Sequence, residues 1–155
     1  MLQGKVLEMG IFSEHAPYYY NRELWVIPCD GKKPLPVGWS EYCDLPPSRK
    51  VRDEWLARYP DANVGLPLGP ASGMVAVDID TDDPDELASI KRTLPPSSYE
   101  RIGKKGCALF YKYNGEKTFS IQGKVDFLST GRQVILPPSI HPETGQQYYW
   151  KGAAL

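Results

Sequence analysis

Short apolar runs separated by proline and glycine make up most of the chain, and their lengths suit β-strands better than helices. The sequence contains 15 Pro and 14 Gly, which divide it into short elements and argue against a helical bundle. Strands are predicted over residues 24–28, 63–68, 74–80, 107–113, 117–121, 124–128, 133–136 and 147–151. The pair Asn114-Gly115 predicts a hairpin turn between two of these strands.

Two other segments carry helical signals. Apolar side chains recur at helical spacing from Val51 to Tyr59, and Ser48 is placed to cap the first turn of this helix. The segment 85–91 has acidic residues in its first turn and a basic end, which suits the helix dipole. Two or three helices among roughly seven strands predict a mixed α+β fold with a mainly antiparallel sheet.

Composition limits the class of protein. The chain has 155 residues, 41% of them hydrophobic, and a net charge of −1, which predicts one soluble domain and excludes a disordered or strongly basic chain. No apolar run approaches the roughly 20 residues that cross a bilayer, and residues 1–12 lack the pattern of a secretory signal. The three cysteines have no metal-ligand spacing, which disfavours structural zinc or a disulfide scaffold and predicts a reducing cytoplasm.

Charge is unevenly distributed although the net value is close to zero. Residues 78–86 include six acids and no base, whereas residues 101–132 include seven bases and two acids. A segment that holds cations next to one that holds anions is what a metal–polyphosphate site requires. The same counts also fit ordinary solvated loops.

Asp78 and Asp80 end the apolar strand predicted over residues 74–80. Side chains two residues apart on a strand share a face, so these carboxylates repel and at least one pKa rises unless a cation lies between them. This arrangement favours a hard cation such as Mg²⁺ or Mn²⁺. The alternative is a strand that runs out into an acidic loop, with the aspartates capping the helix that follows.

Two glycine-containing loops are candidates for anion binding. One covers residues 69–73, and the other covers residues 101–106 and carries Lys104 and Lys105 beside its glycines. Exposed backbone N–H groups in such loops can cradle a triphosphate, although a solvent-exposed hairpin has the same composition. The spacing of a P-loop is absent from the sequence, so these loops do not predict a P-loop NTPase.

Four later residues extend the candidate site. Asp126 lies between apolar residues on a predicted strand and is a candidate third carboxylate. Arg132 follows a glycine and has a side chain suited to bidentate phosphate binding. Ser139 and His141 lie in a proline-flanked loop, where they either contact a phosphate or buttress the loop. The sequence has no G-x-S-x-G elbow, which disfavours a Ser/His/Asp hydrolase.

Taken in order, these motifs resemble those of the bifunctional DNA primase/polymerase N-terminal (prim-pol) domain, which belongs to the archaeo-eukaryotic primase superfamily and occurs in phages, prophages and plasmids. The resemblance covers residues 10–150. It is carried by Gly38-Trp39, Asn63-Val64-Gly65, Ser72-Gly73, Val77-Asp78-Ile79-Asp80, Gly103-Lys104-Lys105-Gly106, Val125-Asp126, Gly131-Arg132-Gln133 and Pro137-Pro138-Ser139-Ile140-His141-Pro142.

The resemblance implies a fold and an activity. It implies a small α/β module packed on an RRM-like, mainly antiparallel catalytic sheet, so that residues 1–155 form a single primase/polymerase catalytic domain. Asp78, Asp80 and Asp126 match the family's catalytic and metal-binding carboxylates, which hold two Mg²⁺ or Mn²⁺ ions for nucleotidyl transfer. The implied substrates are a dNTP or rNTP and a single-stranded DNA template.

One position departs from the family pattern. Many members carry a histidine on the strand after the glycine-rich loop, where it helps to hold the incoming nucleotide, and this chain has Ala108 there. Nucleotide binding is therefore assigned to Lys104, Lys105, Arg132, Ser139 and His141. The alternatives are a nucleotide- or single-stranded-DNA-binding module that has lost turnover, and a metal-dependent nuclease that uses the same carboxylates.

The resemblance also implies a cellular setting. Relatives are commonly fused to a helicase, and since this sequence has no P-loop, we expect any helicase to be a separate partner or a further domain. The expected location is the bacterial cytoplasm, with a gene of phage, prophage or plasmid origin and no membrane partner.

Overall fold

Two antiparallel sheets and three α-helices make up the part of the chain that the computed structural model describes, residues 9–121 and 123–155. Residues 1–8, part of the stretch predicted to lack a secretory signal, lie outside these ranges. The helices are α1 (Ile11–Tyr20), α2 (Arg49–Arg58) and α3 (Pro84–Arg92), with a 3₁₀ helix at Trp39–Cys43. The strands are β1 (Ile27–Asp30), β2 (Lys33–Pro34), β3 (Asn63–Pro67), β4 (Met74–Ile79), β5 (Tyr99–Ile102), β6 (Cys107–Lys112), β7 (Phe119–Ile121), β8 (Val125–Leu128), β9 (Gln133–Leu136) and β10 (Tyr149–Gly152).

The first sheet has the strand order β2-β1-β3-β9, and the second has the order β10-β5-β6-β4-β8-β7. Every pairing within them is antiparallel. These sheets and helices confirm the predicted α+β fold. No helix in the described ranges is long and apolar enough to cross a membrane.

The central strands of both sheets are buried on both faces. All five residues of β3 are buried, with α1 packed against this strand. Residues Ala76, Ala108 and Phe110 of the second sheet join the same hydrophobic core as β3. Their neighbours Val77, Ile79 and Leu109 point to the opposite face and pack with Leu87 and Ile90 of α3. The second sheet is therefore a middle layer between the first sheet and α3.

Local signals explain the elements that the sequence predicts well. The Ser48 hydroxyl accepts a hydrogen bond from the Val51 N–H at 3.2 Å and caps α2 as expected. Asp83 caps α3 in the same way, accepting from the Asp85 N–H at 2.9 Å. Strand β9 begins and ends at the predicted residues. These elements begin at side chains that satisfy unpaired backbone N–H groups or lie in apolar runs bounded by turns.

Two predictions about the elements are wrong, and some elements were missed. The turn at Asn114-Gly115 does not join a hairpin, because β7 pairs with β8 whereas β6 pairs with β4 and β5. The first strand begins at Ile27, three residues later than predicted. The helix α1 and the strand β5 were not predicted at all. In α1 the internal Pro17 weakens the helical signal, and tertiary burial of residues such as Phe12 compensates.

Candidate functional site

A cleft of about 370 Å³ opens at the end of the second sheet where β4 and β5 face the loops of the first sheet. It is lined by Lys32, Asp78, Asp80, Arg101, Lys104, Lys105, His141, Glu143 and Tyr148. Acidic groups from β4 thus face basic groups from four other segments of the chain. A larger hollow of about 570 Å³ beside Arg58 and Asp61 lacks this concentration of charge, so the smaller cleft is the better candidate for chemistry.

A single row of residues crosses the second sheet beneath this cleft. Pairing in register places them in the order Trp150, Arg101, Ala108, Asp78, Asp126 and Ser120, one from each strand. Residues paired in register point to the same face of a sheet. The row therefore puts two carboxylates and a guanidinium side by side, with only a methyl group between Arg101 and Asp78.

Asp78 is the central carboxylate of the site. Its side chain is 39% exposed. Burial raises the pKa of the Asp78 carboxyl, the charge of Arg101 opposes this rise, and the neighbouring carboxylates of Asp126 and Asp80 add to it. The predicted mutual repulsion of Asp78 and Asp80 is thus present, and Asp126 contributes to it as well.

Each of the three carboxylates has a different partner. Asp78 Oδ1 lies 4.0 Å from Nη2 of Arg101, and Asp80 Oδ1 lies 3.9 Å from Nζ of Lys105. Asp126 accepts a short hydrogen bond from the Ser120 hydroxyl. Within residues 9–121 and 123–155, no group of three or more His, Cys, Asp or Glu side chains has an arrangement that could hold a metal ion.

The chemistry of the carboxylates nevertheless fits a divalent cation. Three oxygen-donor side chains lie on one face at the end of adjacent strands, and hard cations take such ligands. Their mutual repulsion would be relieved by a cation. Because the described arrangement of these side chains does not form a metal site, binding of an ion requires them to move.

Arg101 is a site residue that the sequence pattern does not identify, and it lies on β5, at the start of the segment 101–106 predicted to be a loop. Its side chain is 13% exposed, and the guanidinium lies over the Tyr148 ring at 4.8 Å. Nη1 donates a 2.9 Å hydrogen bond to the Ile135 carbonyl of the first sheet, whereas Nε is buried without an acceptor. No local pattern identifies this residue, since its role depends on the packing of β5 against β9.

Lys32 is a second site residue that was missed. It lies in the turn between β1 and β2 and lines the cleft from the first sheet. Its carbonyl accepts a 2.8 Å hydrogen bond from the Gln133 side chain. Asn63 holds the same region by donating to the carbonyls of Gly31 at 3.0 Å and Ile140 at 2.8 Å. The turn therefore presents Lys32 from a fixed backbone.

His141 lines the cleft next to Tyr148, with the two ring centres 5.4 Å apart. Burial and the nearby charge of Lys32 lower the pKa of the imidazole, which favours the neutral ring at pH 7. Its Nδ1 accepts a 3.1 Å hydrogen bond from the Glu143 N–H. The proton of the neutral ring consequently resides on Nε2, which is a donor.

Lys104 and Lys105 form the rim of the cleft, in the loop between β5 and β6. Lys104 forms a close ion pair with Glu143, which connects this loop to the loop after β9. This pairing raises the pKa of Lys104 and lowers that of Glu143. Both lysines line the cleft, in the loop predicted to bind an anion, and each is paired with an acid.

Two predicted nucleotide-binding residues lie away from the cleft lining. Ser139 is fully buried, and its hydroxyl accepts from the Val64 N–H at 2.7 Å and donates to the Val64 carbonyl at 3.4 Å. This geometry favours the buttressing role over phosphate contact. Arg132 is exposed in the turn before β9 and is not among the residues that line the cleft. Lys104, Lys105 and His141 are the members of the predicted set that the fold brings together.

Comparison with known families gives a match over residues 16–154 to the family described as Prim-Pol, bifunctional DNA primase/polymerase, N-terminal. The match includes every residue of the cleft. Comparison with curated proteins gives no match.

Proposed function

The chain belongs to the bifunctional DNA primase/polymerase N-terminal family, and on this premise we propose that its cleft adds nucleotides to a primer on a single-stranded DNA template with the help of Mg²⁺ or Mn²⁺. The observation that carries the proposal is that Asp78, paired in register with Asp126, lines a cleft together with Asp80 and four cationic side chains, those of Lys32, Arg101, Lys104 and Lys105. Nucleotidyl transfer needs both features, because a triphosphate carries several negative charges to a centre that must also activate a hydroxyl.

The carboxylates would hold the cation. Asp78, Asp80 and Asp126 are the residues suited to it, since they lie on one face at the ends of β4 and β8. A divalent cation bound there supplies activation of the attacking 3′-hydroxyl and neutralisation of charge at the phosphate. The neighbouring negative charges of Asp126 and Asp80 favour a cation at Asp78, because a bound cation removes the repulsion among these carboxylates.

The cationic wall would bind and orient the triphosphate. Lys32, Arg101, Lys104 and Lys105 all line the cleft, and Arg101 is the most buried of the four. Groups fixed by the fold stabilise developing negative charge without reorganising during the reaction. His141, with its proton on Nε2, adds a neutral donor on the same wall.

The test is template-directed incorporation of labelled nucleotides with Mg²⁺ or Mn²⁺. We expect product from the wild type and a loss of at least about 100-fold in the double variant Asp78→Ala/Asp80→Ala. The matched control is Asp82→Ala/Asp85→Ala, which removes two exposed acids of the same segment outside the cleft lining and is expected to retain activity. Equal incorporation by the wild type and the Asp78/Asp80 variant would contradict the proposal.

Binding without turnover is the second candidate function. It is favoured by the small Ala108 at the centre of the site and by the separate partners of the three carboxylates. In that case the wild type binds a dNTP or single-stranded DNA but gives no product with either metal. A nuclease would instead degrade labelled DNA in the absence of nucleotides.

A further inference from the structure

The guanidinium of Arg101 has far fewer hydrogen-bond partners than its buried position requires. An arginine carries five N–H donors. Among the described residues, only Nη1 reaches an acceptor, the Ile135 carbonyl at 2.9 Å. Nε is buried and has none, and the 4.0 Å separation between Nη2 and Asp78 Oδ1 is too long for a hydrogen bond. A buried charge in this condition is costly unless a further partner binds to it.

The position of the guanidinium depends on the residue between Arg101 and Asp78. In the row across the second sheet, Ala108 pairs with Arg101 on one side and with Asp78 on the other. Neighbouring strands lie about 4.8 Å apart, so the backbones of the two charged residues, two strands apart, are about 10 Å from each other. Nη2 of Arg101 lies 4.0 Å from Asp78 Oδ1, and Ala108 is fully buried, so a larger side chain at position 108 would displace its neighbours.

Two contacts fix the direction in which the free donors point. The Tyr148 ring lies 4.8 Å from the guanidinium carbon, and the Ile135 carbonyl anchors Nη1. Arg101 also lines the cleft, together with Lys32 and Asp78. The Nη2 edge next to Asp78 is therefore available to a ligand in the cleft.

We propose that Arg101 binds a phosphate oxygen of the nucleotide triphosphate through its Nη2 edge, in the cleft beside Asp78. This inference rests on the proposed function, and it names the residue that recognises the phosphate chain. An oxyanion bound next to Asp78 accepts hydrogen bonds from Nη2 of Arg101, which has no other acceptor within hydrogen-bond distance in the described part of the chain. A guanidinium can give two parallel hydrogen bonds to one phosphate, which a lysine ammonium cannot reproduce.

The test measures binding of inorganic tripolyphosphate and of a dNTP by calorimetry in the presence of Mg²⁺. Arg101→Gln should weaken tripolyphosphate binding by at least about tenfold, and Arg101→Lys should restore only part of the loss. Ala108→Val keeps the arginine but adds bulk at the buried position between Arg101 and Asp78, and we expect a similar loss. The matched control Ala108→Ser keeps the residue small and should bind within about twofold of the wild type. Thermal unfolding of each variant establishes that it is folded.

The outcomes separate this inference from the proposed function. If the wild type binds neither tripolyphosphate nor dNTP, the proposed function and this inference both fail. If the wild type binds both ligands and Arg101→Gln binds them equally well, only this inference fails. Should Arg101→Gln not fold, Ala108→Val decides the question in the same way, with unchanged affinity overturning the inference.

Discussion

Asp78 on β4 lies directly opposite Asp126 on β8, paired in antiparallel register on the face of the second sheet that opens to the cleft. Like charges in this relationship destabilise a sheet unless something compensates for them. The compensation visible in the protein is local: Arg101 approaches Asp78, and Ser120 donates to Asp126. The site therefore carries a cost in folding stability.

The first prediction concerns the pH dependence of stability. Because the pKa of Asp78 is raised in the folded protein, its contribution favours folding at low pH and is lost as pH rises from the ordinary carboxyl range through the raised value. Asp126→Asn removes one cause of that rise. We expect about 0.5 kcal/mol more stability at pH 7, a small effect because the Asp78 side chain is 39% exposed, and no gain near pH 3.

Urea unfolding of the wild type and Asp126→Asn at the two pH values measures this difference. Asp82→Asn, the removal of an exposed acid, is the control and should change neither value. A gain at pH 3 equal to that at pH 7 would show that charge repulsion is not the cause.

The second prediction concerns Ser139. Its buried hydroxyl bridges β3 to the loop after β9 through both backbone groups of Val64. Ser139→Ala leaves the Val64 N–H without this partner, and we expect a loss of about 1–3 kcal/mol in the free energy of unfolding. Nucleotide affinity, measured well below the melting temperature, should stay within about twofold of the wild type. Lower affinity with unchanged stability would instead assign Ser139 to phosphate binding.

The third prediction concerns Gly106, which directly precedes β6, the strand paired with Asp78 and the rest of β4. Its φ is +61°, and a Cβ at this position would overlap the Ile79 carbonyl and lie 3.2 Å from the Thr81 nitrogen. Gly106→Ala therefore combines backbone strain with a collision against the end of β4. We expect a loss of more than about 2 kcal/mol in unfolding free energy and a matching loss of activity.

Gly145 provides the comparison. Its φ is +69°, but a Cβ there would meet no atom within 4 Å. Gly145→Ala should cost only the strain of a left-handed alanine, about 1 kcal/mol. Equal losses in the two variants, measured by thermal unfolding, would mean that the contact with Ile79 contributes nothing.

The fourth prediction concerns the ion pair between Lys104 and Glu143 at the rim. Both side chains are more than half exposed. The Glu143 carboxylate therefore competes with an incoming anion for the Lys104 ammonium group. Glu143→Gln frees Lys104 and removes a negative charge from the lining. Tripolyphosphate should bind about two- to fivefold more tightly, with a larger gain at low salt than at high salt. The control Glu54→Gln alters an exposed acid on α2, and a gain of equal size there would point to net charge alone.

The sequence predicts the elements whose signals are local. Strand β4 is an apolar run bounded by a turn, and α2 has a capping serine before a helical repeat. The pairing of β7 was predicted incorrectly because a turn signal cannot show that β4 and β8 intervene between β6 and β7. Helix α1 was missed because its stability comes from side chains buried against β3 rather than from its own sequence.

The same distinction applies to the site. Asp78 and Asp80 are visible in the sequence because their spacing alone places them on one face of a strand. Arg101 and Lys32 are not visible, because they reach the cleft only through contacts between the two sheets. The two roles considered for Ser139 are not distinguished by the sequence, because a serine in a proline-rich loop has the same local sequence whether its hydroxyl points to a ligand or to Val64.

The turn that carries Lys32 belongs to a different sheet from the strand that carries Asp78. Its backbone is fixed by Asn63 and Gln133, whereas the lysine side chain itself is exposed. Exchange of this one side chain would alter the electrostatic character of the cleft without disturbing the ladder that aligns the aspartates. Substitutions at position 32 are therefore expected to change ligand preference with little effect on folding. A library of variants at this position is the starting point for redesigning the selectivity of the cleft.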